Sequence, residues 1–191
     1  MSTTTEPVNV NPQLSRVETE VRQAEELVDI PIGLPRDERE KTVYQLNQLL
    51  ADSIMLKDMY KKHHWQVAGP TFYQIHLLLD RHYGQQVDIV DTVAERIQVL
   101  GGAARGMPAD VAEKSQITHP PRGREVLTDQ LTRLLQAHET ICNYCRFIAK
   151  AIGERGDLGT EDMVVGDVLR INEFQAWFVA EHLAPVPLEN S

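Results

Sequence analysis

Two polar pairs stand at i, i+4 spacing along one stretch of helical period, His76 with Asp80 and Asp91 with Glu95. Side chains four residues apart project from the same helix face, so each pair can hold one side of an ion or share a proton network. Taken singly, such a pair is more often a solvated surface feature than a ligand set. The relation between the two pairs carries more. From His76 to Asp91 the helix rises about 22 Å, and the intervening steps of about 100° return the second pair to within about 60° of the first. The pairs share a face yet cannot surround one ion within one helix. They are, however, placed symmetrically about the point between Gln85 and Gln86. A two-fold axis crossing there would set His76 against Glu95 of the partner subunit, and Asp80 against Asp91 of the partner subunit. Gly84 and Val87 would lie nearest the crossing, where a glycine lets two helices approach closely, and such self-complementarity is what a two-fold interface demands. His64 closes the preceding helical segment beside the start of this one. Two imidazoles with up to three carboxylates form a mixed nitrogen and oxygen shell suited to Fe(II), Mn(II) or Zn(II).

Four long segments of helical period, and almost nothing of strand period, must position these residues. The first follows Pro35, with Asp37 and Glu40 spaced as a capping pair, and runs through Val43, Leu46, Leu50, Leu56 and Tyr60 to His64 and Trp65 before Gly69-Pro70. The second carries Ile75, Leu79, Gln86, Val90, Val93, Ile97 and Leu100 and stops at Gly101-Gly102. A connection of about twenty residues follows, long against the usual 2–8 between helices, with room for a short helix at Asp110–Lys114. The third has an apolar seam at Leu127, Leu131, Leu134, Ile141, Cys145, Ile148 and Ile152, with His138 on the same seam. The fourth spans Glu161 to Leu183 through Val164, Val168, Ile171, Phe174 and Phe178. Four such helices predict an all-α chain, a ferritin-like four-helix bundle with one long crossover between the second and third helices. The expected division is a mobile acidic tail over 1–35, with a turn or two of helix around Glu18–Leu27, the bundle over 36–183, and a short tail over 184–191.

The run K-H-H-W-Q-V-A-G-P-T-F-Y-Q-I-H-L-L-L-D-R-H-Y, followed by D-I-V-D-T-V-A-E-R-I-Q-V-L-G-G, resembles the Dps family, the DNA-protecting mini-ferritins of bacteria. The resemblance implies a homododecameric shell with a ferroxidase site shared across each two-fold interface. His64, His76 and Asp80 would come from one subunit and Asp91 and Glu95 from its partner, in agreement with the symmetry of the spacing. It implies oxidation of Fe(II), preferentially by hydrogen peroxide, storage of ferric oxide inside the shell, and protection against oxidative stress, with zinc as a competing ion. Trp65, beside a ligand, has two readings, an electron donor near the iron or a packing residue at the helix end.

Several other residues need placing. His63 is a further candidate ligand, but adjacent helical residues point about 100° apart, so it joins His64 on one ion only where the helix is ending. An added nitrogen would shift preference toward Zn(II). His82 lies too far around the helix from His76 for direct binding, and His138 reads as a buried, hydrogen-bonded histidine. Cys142 and Cys145 read as small core residues rather than a redox pair. The acids Asp157, Glu161 and Asp162 favour the start of the fourth helix through its dipole. The resemblance offers Asp157 and Asp162, and to a lesser extent Asp167, a second role as the lining of an inlet that draws Fe(II) inward. One departure from the family is that Leu77 and Arg81 stand where many relatives carry a further acid proposed to nucleate mineral.

Composition bounds these readings. With 191 residues the chain suits one domain plus tails, and 28 acidic against 19 basic side chains give a net charge of −9 that argues against a nucleic-acid-binding surface. The first 35 residues hold six acids and two arginines, so DNA binding is expected to be weak or absent. Two cysteines make no disulfide framework, and no apolar run approaches the roughly 18 residues a membrane span needs. A cytoplasmic protein is expected. The rival readings are a DNA-compacting nucleoid protein with an incidental metal site, and a four-helix protein that holds Zn(II) without turnover.

Overall fold

The computed structural model describes residues 20–185. Helix α1 (Arg36–Gln66) packs antiparallel along α2 (Phe72–Val99), a short crossover helix α3 (Pro108–Lys114) leads to α4 (Leu127–Glu154), and the last bundle segment comprises α5 (Leu158–Met163), a π-helical stretch (Val164–Leu169) and α6 (Arg170–Glu181). Among the described residues no strand occurs. The apolar repeats meet in one core that joins Leu46, Leu50 and Leu56 of α1 to Leu79, Val93 and Ile97 of α2 and to Leu134, Ile141 and Ile148 of α4. Both thiols are in it: Cys142 and Cys145 are buried, and burial pushes the Cys145 thiol up to about 12.

The crossover runs the length of α1 because buried polar side chains of that helix tie it down. Asn47 donates to the Ala103 carbonyl at 3.1 Å and accepts from the Arg105 amide at 2.9 Å. One turn on, Asp52 accepts from Ser115 Oγ at 2.9 Å and from the Gln116 amide at 2.7 Å. Near the end of α1, Lys62 and Gln66 donate to the carbonyls of Gly123 and Arg122. The chain thus returns to the C-terminal end of α1 before α4 begins, and α4 closes beside the start of α1, where Arg155 bonds Gln45 and pairs with Glu38. Helices α2 and α4 therefore run parallel, as a single long crossover requires.

Three expectations need correction. Asp37 does not cap α1. The helix already starts at Arg36 behind Pro35, whose φ of −57° and ψ of 145° set the approach, and Asp37 and Glu40 pair instead with Lys41 and Arg36. Nor do residues 20–35 hang loose, although one turn does occur in the expected stretch, where the Glu26 amide donates to the Gln23 carbonyl at 3.0 Å. They form an extended strap across the end of α2, whose last carbonyls need donors. The Val28 amide donates to the Gly101 carbonyl at 2.8 Å, Arg22 donates to the Gly102 carbonyl at 3.0 Å, and Leu27 is buried. The rest of that predicted tail, and the end of the C-terminal one, lie outside the described residues. Finally, the fourth bundle segment starts at Leu158, and its inward positions beyond Val168 are Asn172, Gln175 and Val179 rather than Ile171, Phe174 and Phe178. Each falls one residue late, which is the offset a π-turn introduces into a 3.6-residue repeat.

Candidate metal centre

The short turn between α1 and α2, with Gly69 at φ 120°, brings the last turn of one helix against the first of the other. His64 and His76 meet there with stacked rings, centroids 3.7 Å apart and planes 21° from parallel. Each ring is held by the other's backbone: His64 Nδ1 lies 3.0 Å from the His76 carbonyl oxygen, and His76 Nδ1 lies 3.0 Å from the His64 carbonyl oxygen. A carbonyl only accepts, so both Nδ1 atoms carry hydrogen and both Nε2 atoms are left with lone pairs. Such Nδ1–H to carbonyl bonds fix the tautomer and orientation of metal-binding histidines.

Asp80 follows one turn after His76, half-exposed, with Oδ1 3.8 Å from His64 Nδ1. Lys61 donates to the same oxygen at 2.7 Å, and its ammonium holds the Asp80 carboxyl below the usual range, with the neighbouring histidines adding to the effect. Lys61 also lies 4.6 Å over the Tyr83 ring. Neither contact is legible in the sequence, since nothing in the spacing of α1 tells where a lysine will cross to α2.

The structure brings His64, His76 and Asp80 together and leaves Asp91 and Glu95 apart from them, farther along α2. Among the described residues of one chain, no three His, Cys, Asp or Glu side chains converge closely enough to enclose an ion. Asp80 and both members of the second pair nonetheless lie on one exposed stripe of α2 formed by Tyr73, Leu77, Asp80, Gly84, Val87, Asp91 and Glu95, with half-buried His76 beside it. A Cβ built on Gly84 would meet nothing within 4 Å, and Leu77 and Val87 show apolar side chains to the outside. Trp65 is 72% exposed, so its indole does not serve as packing within its own chain.

Two candidate roles do not survive the geometry. His63 is fully buried, with Lys62, Glu125 and Arg133 as its charged neighbours. Burial lowers its basicity to about 4, and the ring sits on the crossover side of α1 rather than at the α1–α2 seam. Asp157 is likewise buried. It caps α5 through the Thr160 amide at 3.0 Å, accepts from Thr160 Oγ1 at 2.6 Å and is paired with Arg96 at 2.8 Å. Its carboxylate is thereby used inside the subunit and lines no inlet. Asp162 and Asp167 remain exposed. His82 and His138 are both buried and hydrogen-bonded to the Tyr60 hydroxyl.

A helical bundle with parallel second and fourth helices and a histidine and carboxylate cluster at its α1–α2 end has the ferritin-like architecture. The sequence pattern of the ferritin-like domain family matches residues 43–188. DpsC from Streptomyces coelicolor is 48% identical in sequence and superposes with a TM-score of 0.87, covering 89% of this chain and 99% of that one. An uncharacterised protein from the bpoA2 5′ region of Kitasatospora aureofaciens is 41% identical over 146 residues, 76% of this chain and 97% of its own length. The DNA protection during starvation protein of Agrobacterium fabrum is 29% identical over 150 residues, 78% of this chain and 92% of its own. The chain belongs to the Dps family of ferritin-like proteins.

Proposed function

We propose that this protein oxidises Fe(II), preferentially with hydrogen peroxide, at sites shared between two subunits, and stores the ferric product inside a homododecameric shell. The observation that carries the reading is the reciprocal bonding of His64 and His76, which leaves both Nε2 lone pairs unused on rings that stand one helical turn from the Asp80 carboxylate. Two imidazoles and one carboxylate with open positions suit Fe(II). The exposed α2 stripe supports a two-fold pairing in which Asp91 and Glu95 of the partner subunit complete the shell. Carboxylates are hard donors that favour Fe(III) as it forms. Two Fe(II) ions give one electron each to peroxide, whose O–O bond breaks to two hydroxides, so that no hydroxyl radical is released. Lys61, bonded to one Asp80 oxygen, competes with metal for the carboxylate. In this reading exposed Trp65, next to His64 in sequence, donates an electron near the iron, and exposed Asp162 belongs to an inlet that concentrates Fe(II).

Buried His63 adds no nitrogen to the set, which leaves Zn(II) as a competing ion rather than the resident one. The role is detoxification of iron and peroxide in the cytoplasm; among the described residues no helix is long and apolar enough to cross a membrane. The acidic N-terminal stretch predicts little binding of DNA at physiological salt. The test is Fe(II) oxidation followed with peroxide and with dioxygen, in parent and Asp91→Ala/Glu95→Ala protein, with native mass measured on each. The double variant is expected to assemble and to lose most of its peroxide-driven rate. Oxidation at the parental rate would refute the site.

A further inference from the structure

Tyr60 sits at the centre of a buried polar layer that the metal chemistry above leaves unused. Its side chain is fully buried, and its hydroxyl meets two imidazoles, His138 Nε2 at 2.6 Å and His82 Nδ1 at 3.1 Å. On the far side, His138 Nδ1 lies 2.9 Å from Asn172 Oδ1. The Asn172 amide is oriented by its own donation to the Val168 carbonyl at 2.8 Å, and its Oδ1 also accepts from Gln86 Nε2 at 3.2 Å. Since Asn172 Oδ1 can only accept, His138 carries its hydrogen on Nδ1 and turns the Nε2 lone pair to Tyr60. Tyr60 therefore donates to His138 and receives from His82. All five tyrosines lie among the described residues, and Tyr60 alone has its hydroxyl on a base. Tyr144 donates to the Gln45 carbonyl at 3.2 Å, Tyr44 and Tyr73 are exposed, and Tyr83 lies under Lys61.

We infer that Tyr60 is an internal one-electron donor to the metal centre, its phenolic proton passing to His138 Nε2 as the electron leaves. The inference rests on the Fe(II) and peroxide reading. Tyr60 lies one helical turn before His64, about 6 Å along the axis, and His82 follows Asp80 by two residues. A centre holding a single Fe(II) can give peroxide only one electron, and the O–O bond then breaks to hydroxide and a hydroxyl radical. An electron from Tyr60 reduces that radical to a second hydroxide. The Tyr60 O–H bond breaks and an N–H bond forms on His138, leaving a neutral tyrosyl radical beside an imidazolium. A second Fe(II) returns the electron, becoming Fe(III), and the proton goes back to Tyr60. The sum, two Fe(II) and one peroxide to two Fe(III) and two hydroxides, equals that of the paired reaction. The proton stays local because the Asn172 amide oxygen is no base, and burial, which disfavours the imidazolium, drives its return to Tyr60 once the electron is restored. Both conditions make Tyr60 reusable.

The test uses the full-length protein in two arms. In one, a single Fe(II) per site is mixed with hydrogen peroxide and freeze-quenched for electron paramagnetic resonance. In the other, iron-free protein is photo-oxidised by a flash-excited ruthenium polypyridyl sensitiser with a sacrificial acceptor, which needs no iron chemistry. A tyrosyl radical is expected in both arms, lost in Tyr60→Phe and strongly reduced in His138→Gln, which keeps an acceptor but not a base. Native mass and thermal melting establish that each variant is folded. An undiminished tyrosyl signal in Tyr60→Phe overturns the inference, as does a parent protein that gives no tyrosyl radical under photo-oxidation. A photochemical radical without an iron-driven one, in protein that oxidises Fe(II) normally, overturns the donor role. Failure of the parent to oxidise Fe(II) overturns the metal reading and this inference with it, while the photochemical arm still reports on the Tyr60–His138 pair.

Discussion

Replacing Asp157 separates a structural carboxylate from an iron-attracting one. In Asp157→Ala the α5 cap disappears, at a cost of about 1 kcal/mol, and Arg96 loses a charge-assisted bond contributing about 1.5–3 kcal/mol. Arg96 is partly open to solvent, with 22% of its side chain exposed, so water recovers some of the second loss and the total comes to about 3 kcal/mol. For a chain of this size each kcal/mol moves the melting temperature by about 2–4 °C, which gives a fall of about 6–12 °C. Asp157→Asn keeps a competent cap, since Asn and Asp are equivalent there, and loses only the charge, for a fall of about 2–6 °C. Asp162→Asn, at an exposed position, is expected to stay within about 0.5 kcal/mol of the parent while slowing Fe(II) uptake at low ionic strength. Scanning calorimetry at fixed subunit concentration and stopped-flow iron uptake read the two effects separately. If Asp157→Asn melted with the parent and slowed uptake as much as Asp162→Asn, the buried ion pair would be refuted and an inlet role restored to Asp157.

Lys61→Met releases Asp80 from its ammonium and is expected to tighten Zn(II), used as a redox-silent probe, several-fold by calorimetric titration and to weaken the salt dependence of binding; unchanged affinity at every salt concentration would show that Lys61 does not compete with metal. His138 is held neutral by burial, its basicity lowered from 6.5 to about 3, so its contribution to stability is complete above about pH 6.5 and is lost as the pH falls toward about 3, by up to about 1.4 kcal/mol per pH unit. Urea unfolding across that range should show a shallower acid slope for His138→Gln than for the parent, even though the variant is less stable at neutral pH, and parallel slopes would refute the assignment.

Helices α1, α2 and α4 were legible because their apolar residues repeat at three and four, and the end of α2 because Gly101 takes a left-handed φ of 86° that a glycine pair announces. The grouping of His64, His76 and Asp80 was legible for the same reason, since His76 and Asp80 share a helix face and His64 is brought to them by a turn too short to lead elsewhere. His63 was separable from His64 by the angle between adjacent residues, and its burial then decided the matter. What could not be read were contacts between segments distant in sequence. The strap over Gly101 and Gly102 depends on unsatisfied carbonyls at the end of another helix, and an acidic, proline-containing composition says nothing of them. Asp157 carried the right charge for an inlet, but its pairing with Arg96, 61 residues away, lies beyond any local pattern. Lys61 and Tyr60 were hidden likewise, their partners being on other helices.

The π-helical stretch over Val164–Leu169 means that the last bundle segment runs one residue long for its reach. Deleting a single residue there should let the segment wind as plain α-helix while Asn172, Gln175 and Val179 still face inward. Deleting a residue just after Leu169 should instead turn everything beyond it by about 100° and set Glu173 and Ala176 at the inward positions of Asn172 and Gln175, taking from His138 the amide that now orders it. Tolerance of shortening should therefore change abruptly at Leu169, from a lost bulge that the core does not feel on one side of that boundary to a histidine stripped of its partner on the other.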